Sequence, residues 1–166
     1  MVDPRVQLLQ RWLTNARRSQ IANYEAANMY SRRNYGLGIP AVLFSAVVGT
    51  SVFAALGSSV SPEIQITVGI VSVIAAVLGA LQTFLRWGEL SSQCRSTAAE
   101  YGAIKREIGQ IISFDESGGD IEEQSLSSIR EKMDTLARDA PELPDHIWKR
   151  ARVKVPLAAD EQPSTA

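Results

Sequence analysis

The sequence predicts an all-α membrane protein: a two-transmembrane helical hairpin with an N-terminal amphipathic helix and a long cytoplasmic helical extension. Three observations carry this reading. No charged residue lies between Arg33 and Glu63, and none lies between Glu63 and Arg86. On both sides of that apolar centre the chain is charged and its apolar residues recur at helical spacing. The overall mean hydropathy of −0.04 and the 21% of charged residues resemble a soluble protein, but these averages mix a charge-free centre with charge-rich ends.

Residues 5–33 read as an amphipathic helix on the cytoplasmic side. Asp3 suits the N-cap and Pro4 the first helical position. Leu8, Leu9, Trp12, Leu13, Ala16, Ala22, Ala26, Met29 and Tyr30 supply the apolar set, and Arg5, Arg11, Arg17, Arg18, Arg32 and Arg33 the charges. Two roles stay open for the apolar face. It can lie on an anionic membrane surface, or, as the many alanines favour, pack closely on another helix. Gly36, Gly38 and Pro40 follow and weaken or bend a helix, so they form a candidate hinge at the membrane boundary.

The first span is expected over 37–56 and the second over 64–85, each of about 20 residues, which at 1.5 Å per residue cross the hydrocarbon core. The turn Gly57 to Pro62 is short, so the spans are antiparallel neighbours. Ala41, Ser45 and Gly49 place small residues every fourth position on the first span. On the second span Gly69, Ser72, Ala76, Gly79 and Thr83 form a candidate helix-packing or pore-facing stripe. Arginines concentrate in the flanks, six of them before the first span, and the turn has none, so the positive-inside rule places both termini in the cytoplasm. A signal peptide fits poorly, because 33 residues precede the first apolar segment.

Beyond the second span the helix is expected to run on for about 50 residues from Ile64, roughly 75 Å. Trp87, Leu90, Cys94, Thr97, Tyr101, Ile104, Ile108 and Ile111 alternate spacings of three and four. This is a heptad seam with Thr97 as its weak member, available to residues 4–33, to another subunit, or to both. Cys94 reads as a small core residue. Ser117-Gly118-Gly119 breaks the helix, a second helix covers Ile121 to Arg138, and Ala140 to Pro144 ends helical structure. The domain as a whole spans 1–154, with cytoplasmic helices over 86–138 and a disordered tail over 155–166.

Several function classes are disfavoured. A net charge of −1 argues against a general nucleic-acid binder. A single cysteine, Cys94, excludes an intrachain disulfide and a cysteine-based zinc cluster, and a single histidine, His146, argues against histidine-based metal sites and a Ser/His/Asp triad. No phosphate loop, HExxH motif or nucleophile elbow is present. No acid or base lies within either span, which disfavours a proton relay. Neither an enzyme nor a cofactor is expected.

The order of several short motifs is similar to a known family. Trp12 sits on a charged helix. Tyr24 to Tyr30 forms an alanine- and tyrosine-bearing stretch, and Asn34 and Gly38-Ile39-Pro40 open the first span. The second span ends in Leu78-Gly79-Ala80-Leu81-Gln82-Thr83-Phe84-Leu85. Ala98-Ala99-Glu100-Tyr101 and Lys105-Arg106-Glu107-Ile108 follow, then the Pro141 to Pro144 stretch. Over about residues 5–150 this resembles the SLATT family, bacterial two-span proteins found beside nucleotide-second-messenger synthetases or SLOG-type sensors in conflict systems. The resemblance implies an inner-membrane effector of an anti-phage system that homo-oligomerises and permeabilises the bilayer on a signal. No sensor or synthetase domain is recognised in these residues, so a nucleotide signal would arrive through a partner or bind a soluble arm. The competing expectation is a non-conducting membrane anchor or scaffold that recruits a cytosolic partner through its helical extension.

Overall fold

The computed structural model describes residues 3–55, 61–116, 119 and 121–156, with the side chains of 52–55 and 116 left aside. Among them the regular elements are helices, in the order α1 (Pro4–Ala55), α2 (Pro62–Leu85), α3 (Trp87–Glu116), α4 (Glu123–Asp139) and α5 (Asp145–Lys154). The expected turn over 57–60, Ser117-Gly118 of the expected break, and the tail from 157 onward lie outside the described residues. The chain divides into two units, Met1–Asn28 with Ser91–Ala166, and Met29–Leu90.

Helix α1 begins as its sequence dictates. The Asp3 carboxylate accepts a hydrogen bond from the Arg5 amide at 2.8 Å, which satisfies one of the free donors at a helix N-terminus. The helix continues through Gly36, Gly38 and Pro40 without interruption, so the candidate hinge is not a break in the helix. A second expectation needs correction at Arg86. The helix after α2 does not run on: Arg86 adopts φ 46°, ψ 32°, in the left-handed region. Its carbonyl accepts from the amides of Glu89 and Leu90 and so opens α3, while its guanidinium pairs with Glu89.

In the unit formed by Met1–Asn28 and Ser91–Ala166, α1, α3 and α4 enclose a core of Val6, Leu9, Ala16, Tyr101, Ile104, Ile108, Ile121, Ile129 and Leu136. Leu9, Ile108 and Ile129 are fully buried. The contributing faces follow a repeat of three and four: 6, 9, 13, 16 on α1, 101, 104, 108, 111 on α3, and 126, 129, 133, 136 on α4. That spacing keeps one stripe turned to a neighbouring helix over several turns. Arg5 fixes the entry to α4 by donating to the Ile121 carbonyl at 3.0 Å, and Lys132 joins α4 to Glu107 on α3 at 2.7 Å.

Helical structure does not end at Pro144 as expected. Pro144 caps α5, with Asp145 in the first turn and Arg152 and Lys154 in the last, the charge order that a helix dipole favours. Ile147, Ala151 and Val155 are buried. The Val155 carbonyl accepts from Arg18 Nε at 2.7 Å, and Lys154 pairs with Glu25. Val155 therefore belongs to the folded unit and not to a tail.

The unit Met29–Leu90 contains the C-terminal half of α1, α2 and the start of α3. They meet along Asn34, Leu37, Gly38 and Ala41 of α1 and Val68, Val71, Ala75, Leu78, Gln82 and Leu85 of α2, the residues withdrawn from the surface. Two contacts set an antiparallel register. A Cβ on Gly38 would stand 2.9 Å from Gln82 Nε2, and one on Gly88 would stand 3.5 Å from Asn34 Nδ2. Gly38 thus admits the Gln82 amide at a distance that an alanine would contest.

Candidate functional site

The Met29–Leu90 unit is built with its large apolar side chains outward. Ile39, Val42, Leu43, Val47, Ile64, Ile66, Ile70, Val73, Val77 and Phe84 are exposed, while its buried apolar residues are Ala41 and Ala75 with Tyr30. Only 6% of the apolar window in the helical stretch Pro62–Asp115 is buried, and that stretch is long and apolar enough to cross a membrane. An apolar surface of this extent marks contact with lipid or with another protein. The expected first span over 37–56 reaches into side chains outside the described residues.

Several hydroxyl groups of this unit are satisfied by their own helices. Ser45 donates to the Ala41 carbonyl at 2.8 Å, Thr67 to Glu63 at 2.9 Å and Thr83 to Gly79 at 3.1 Å. Such back-bonding to the preceding turn lets a hydroxyl sit in an apolar medium without a partner from another helix.

Four of the five residues of the candidate stripe sit beside the packed face of α2, and Gly79 is withdrawn with that face. Gly69, Ser72, Ala76 and Thr83 are exposed, whereas Gly79 is half-buried along with Val68, Val71, Leu78, Gln82 and Leu85, and Ala75 is buried. One residue of offset turns a helix by about 100°, so Gly69, Ser72, Ala76 and Thr83 remain on an open face. Of the candidate hinge, Gly36 meets no neighbouring side chain within 4 Å and Gly38 lies against Gln82. Pro40 is half-buried within α1.

The seam expected as a subunit contact is covered by the chain itself along most of its length. Cys94, Tyr101, Ile104 and Ile108 are buried, and Thr97 with them. Tyr101, Ile104 and Ile108 lie in the core with Val6 and Leu9, and Ile111 is half-buried against that core. The neighbouring Ser91 hydroxyl donates to the Ala27 carbonyl at 2.8 Å. Burial pushes the Cys94 thiol pKa up, against a smaller opposing backbone hydrogen bond, which makes it a poor nucleophile. Trp87 and Leu90, in the Met29–Leu90 unit, are half-buried, and the Arg33 guanidinium lies 5.7 Å from the centre of the Trp87 ring. With Tyr35 and Phe84 exposed nearby in sequence, cations and aromatics flank the apolar helices as interfacial anchors do.

A groove of about 870 Å³ runs between α3 and α4. Glu100, Glu107, Glu131 and Asp139 line it together with Lys132, and Lys132 is held by both carboxylate oxygens of Glu107, at 2.7 and 2.8 Å. Its charge is therefore acidic, the wrong sign for a phosphate-bearing molecule. Sequence reasoning did not find this groove. Its signal is the acids of α3 and α4 at helical spacing beside the seam, Glu100 and Glu107 seven residues apart.

No family model, no curated protein and no solved structure matches this chain.

Proposed function

We propose that the chain is a two-span inner-membrane protein with both termini cytoplasmic, acting as the membrane effector of a bacterial conflict system. In this reading it oligomerises and permeabilises the bilayer on a nucleotide-derived or sensor-derived signal. The observation that supports it most is the outward apolar surface of the Met29–Leu90 unit, whose α2 window is 6% buried. A bilayer removes that surface from water at no cost in conformational entropy, whereas a lone soluble chain would aggregate through it. The open stripe from Gly69 to Thr83 supplies small residues that let helices of several copies approach closely. One hairpin encloses no channel, so conduction requires several copies. The SLATT-like motif order supplies the conflict-system context.

The test is dye release from liposomes that hold the full-length protein in a uniform orientation. The reading expects release with the activating partner or signal present, and depolarisation of cells on induction. Inserted oligomers that never leak, with or without the signal, would overturn it.

A non-conducting anchor is the second reading, and the acidic groove between α3 and α4 favours it. A recruited cytosolic partner would meet four carboxylates there. Deleting residues 115–166 would then abolish activity and partner capture while membrane assembly persists.

A further inference from the structure

Helix α5 has two faces of opposite character. Ile147, Ala151 and Val155 are buried. The hydrogen bond from Arg18 to the Val155 carbonyl and the pair of Lys154 with Glu25 fasten that side to α1. His146, Lys149, Arg150 and Val153 are exposed, and steps of three and four keep them on one side of the helix. Among the described residues, Lys149, Arg150 and Arg152 make no ion pair.

The groove between α3 and α4 carries the opposite charge in the same folded unit. Four carboxylates against one ammonium line it, together with Ala103, Ile104 and Leu136. Lys132 neutralises Glu107, but Glu100, Glu131 and Asp139 make no ion pair among the described residues. No residue of α1 or α5 contributes to its walls, so the basic face of the same copy does not fill it. Dimensions agree as well as charge. The α4 wall from Ser128 to Asp139 is about 17 Å long at 1.5 Å per residue, and the ten residues of α5 are about 15 Å long.

We infer that the basic face of α5 in one copy docks into the acidic α3–α4 groove of a second copy. The cations of α5 and the carboxylates of the groove are complementary, and Val153 adds an apolar contact for the aliphatic part of the groove. Exposed charge pairs are individually weak and are screened by salt, so the contact is reversible and sensitive to ionic strength. Because two different surfaces meet, the contact is heterologous: each copy offers a helix to one neighbour and a groove to the next, which closes into a ring or runs on as a filament. For copies anchored in one bilayer the closed form is a ring. The inference rests on the oligomeric part of the proposed function and names the contact that joins the copies outside the membrane.

The experiment is disulfide cross-linking of full-length chains in nanodiscs, in a Cys94→Ala background with copper phenanthroline as the oxidant. One chain carries Val153→Cys on α5, and a co-expressed, differently tagged chain carries Thr135→Cys on the α4 wall. A mixed cross-linked dimer is expected, forming more slowly as salt is raised, while either chain alone gives little product. Lys149→Glu with Arg150→Glu should slow the mixed cross-link at least about tenfold, and Glu100→Lys with Glu131→Lys in the other chain should restore it. All four positions are exposed, so the melting temperature should be unchanged. Inserted oligomers without the mixed cross-link, or reversals that neither slow nor restore it, would overturn the inference. So would equal cross-linking of Val153→Cys chains to one another, the mark of a symmetric α5 contact. Loss of the cross-link when phosphatidylglycerol replaces phosphatidylcholine would overturn it too, by assigning the basic face to anionic lipid. Leakage without the mixed cross-link defeats this contact and spares the permeabilisation reading. Mixed cross-links without leakage do the reverse, and monomers throughout defeat both.

Discussion

The two units use the same periodicity but differ in where their exposed apolar bulk lies. In the unit built from Met1–Asn28 and Ser91–Ala166, the three-and-four repeat carries Leu9, Ile104, Ile108 and Ile129, and these are buried. In Met29–Leu90 the same repeat on α2 carries Val68, Val71, Ala75, Leu78, Gln82 and Leu85, and the bulk of the apolar side chains points away from it. The first unit hides large residues from water and so gains the hydrophobic term, about 25 cal/mol per Å². The second gains little by hiding apolar groups, because the surroundings that suit its surface are apolar too. Its helices meet along a mixed face of small and larger residues, and at Gly38 the α1 backbone lies against the Gln82 side chain. A helix pair of one design is therefore read by which side of the seam holds the bulk.

The sharpest contrast comes from truncating an isoleucine in each unit. Ile108→Ala, at a fully buried position, should destabilise by roughly 2–5 kcal/mol. Ile70→Ala, exposed at 57%, should cost less than about 0.5 kcal/mol. Thermal or denaturant unfolding in mild detergent measures both, and equal losses would erase the distinction between the units. A charge tests the same contrast from the other side. Val73→Lys, near the middle of α2, should oppose membrane insertion by about 2.5–3.5 kcal/mol and shift the protein out of the membrane fraction. Val153→Lys, exposed at 82% on α5, should leave fractionation unchanged.

Smaller effects probe individual contacts. Gly38→Val places a branched side chain where a Cβ would stand 2.9 Å from Gln82 Nε2; the flexible Gln82 side chain must swing aside, so the cost should be about 1 kcal/mol, the low end of overpacking, read as a lower melting temperature. Gly36→Val, with open space around it, should lose only helix propensity, under about 1 kcal/mol. Alkaline pH should weaken the unit that holds Cys94. Burial raises its pKa in the folded state above the ordinary 9.0, so the folded form binds the proton more tightly. Stability is full below pH 9.0 and falls as pH rises from there towards the folded pKa. Thiol alkylation at neutral pH should be slow until the chain unfolds. Lys154→Ala removes an exposed ion pair with Glu25 and should cost under about 1 kcal/mol, less at high salt.

Legibility in the sequence varied with the contrast between faces. The Asp3 cap and the α3 seam were readable, because a short acid before Pro4 and alternating steps of three and four are local signals. The α1 seam was obscured, because Gln20, Asn23 and Asn34 interrupt it with polar residues. Between Val68 and Leu81 of α2 nearly every residue is apolar, so hydropathy marks no face there. Small residues then drew attention to the Gly69 to Thr83 stripe, one position away from the packed face. Arg86 carries no sign of its left-handed backbone, a conformation usually given to glycine. Pro141 and Pro144 read as an end of helical structure, although a proline is equally at home at the start of a helix, as α5 shows.

The sequence by itself determined the helical class and the charge-free length of the centre, because both rest on properties of single residues summed over a window. It also determined that Cys94 and Ile108 share a stripe. Only the tertiary structure decided which stripe meets which helix. That choice depends on shape at the contact, such as the missing Cβ of Gly38 against Gln82. Only the tertiary structure, too, buried the Asn23 oxygen without a hydrogen-bond partner. Hydrogen-bond satisfaction is a property of the assembled neighbourhood, and no local pattern encodes it.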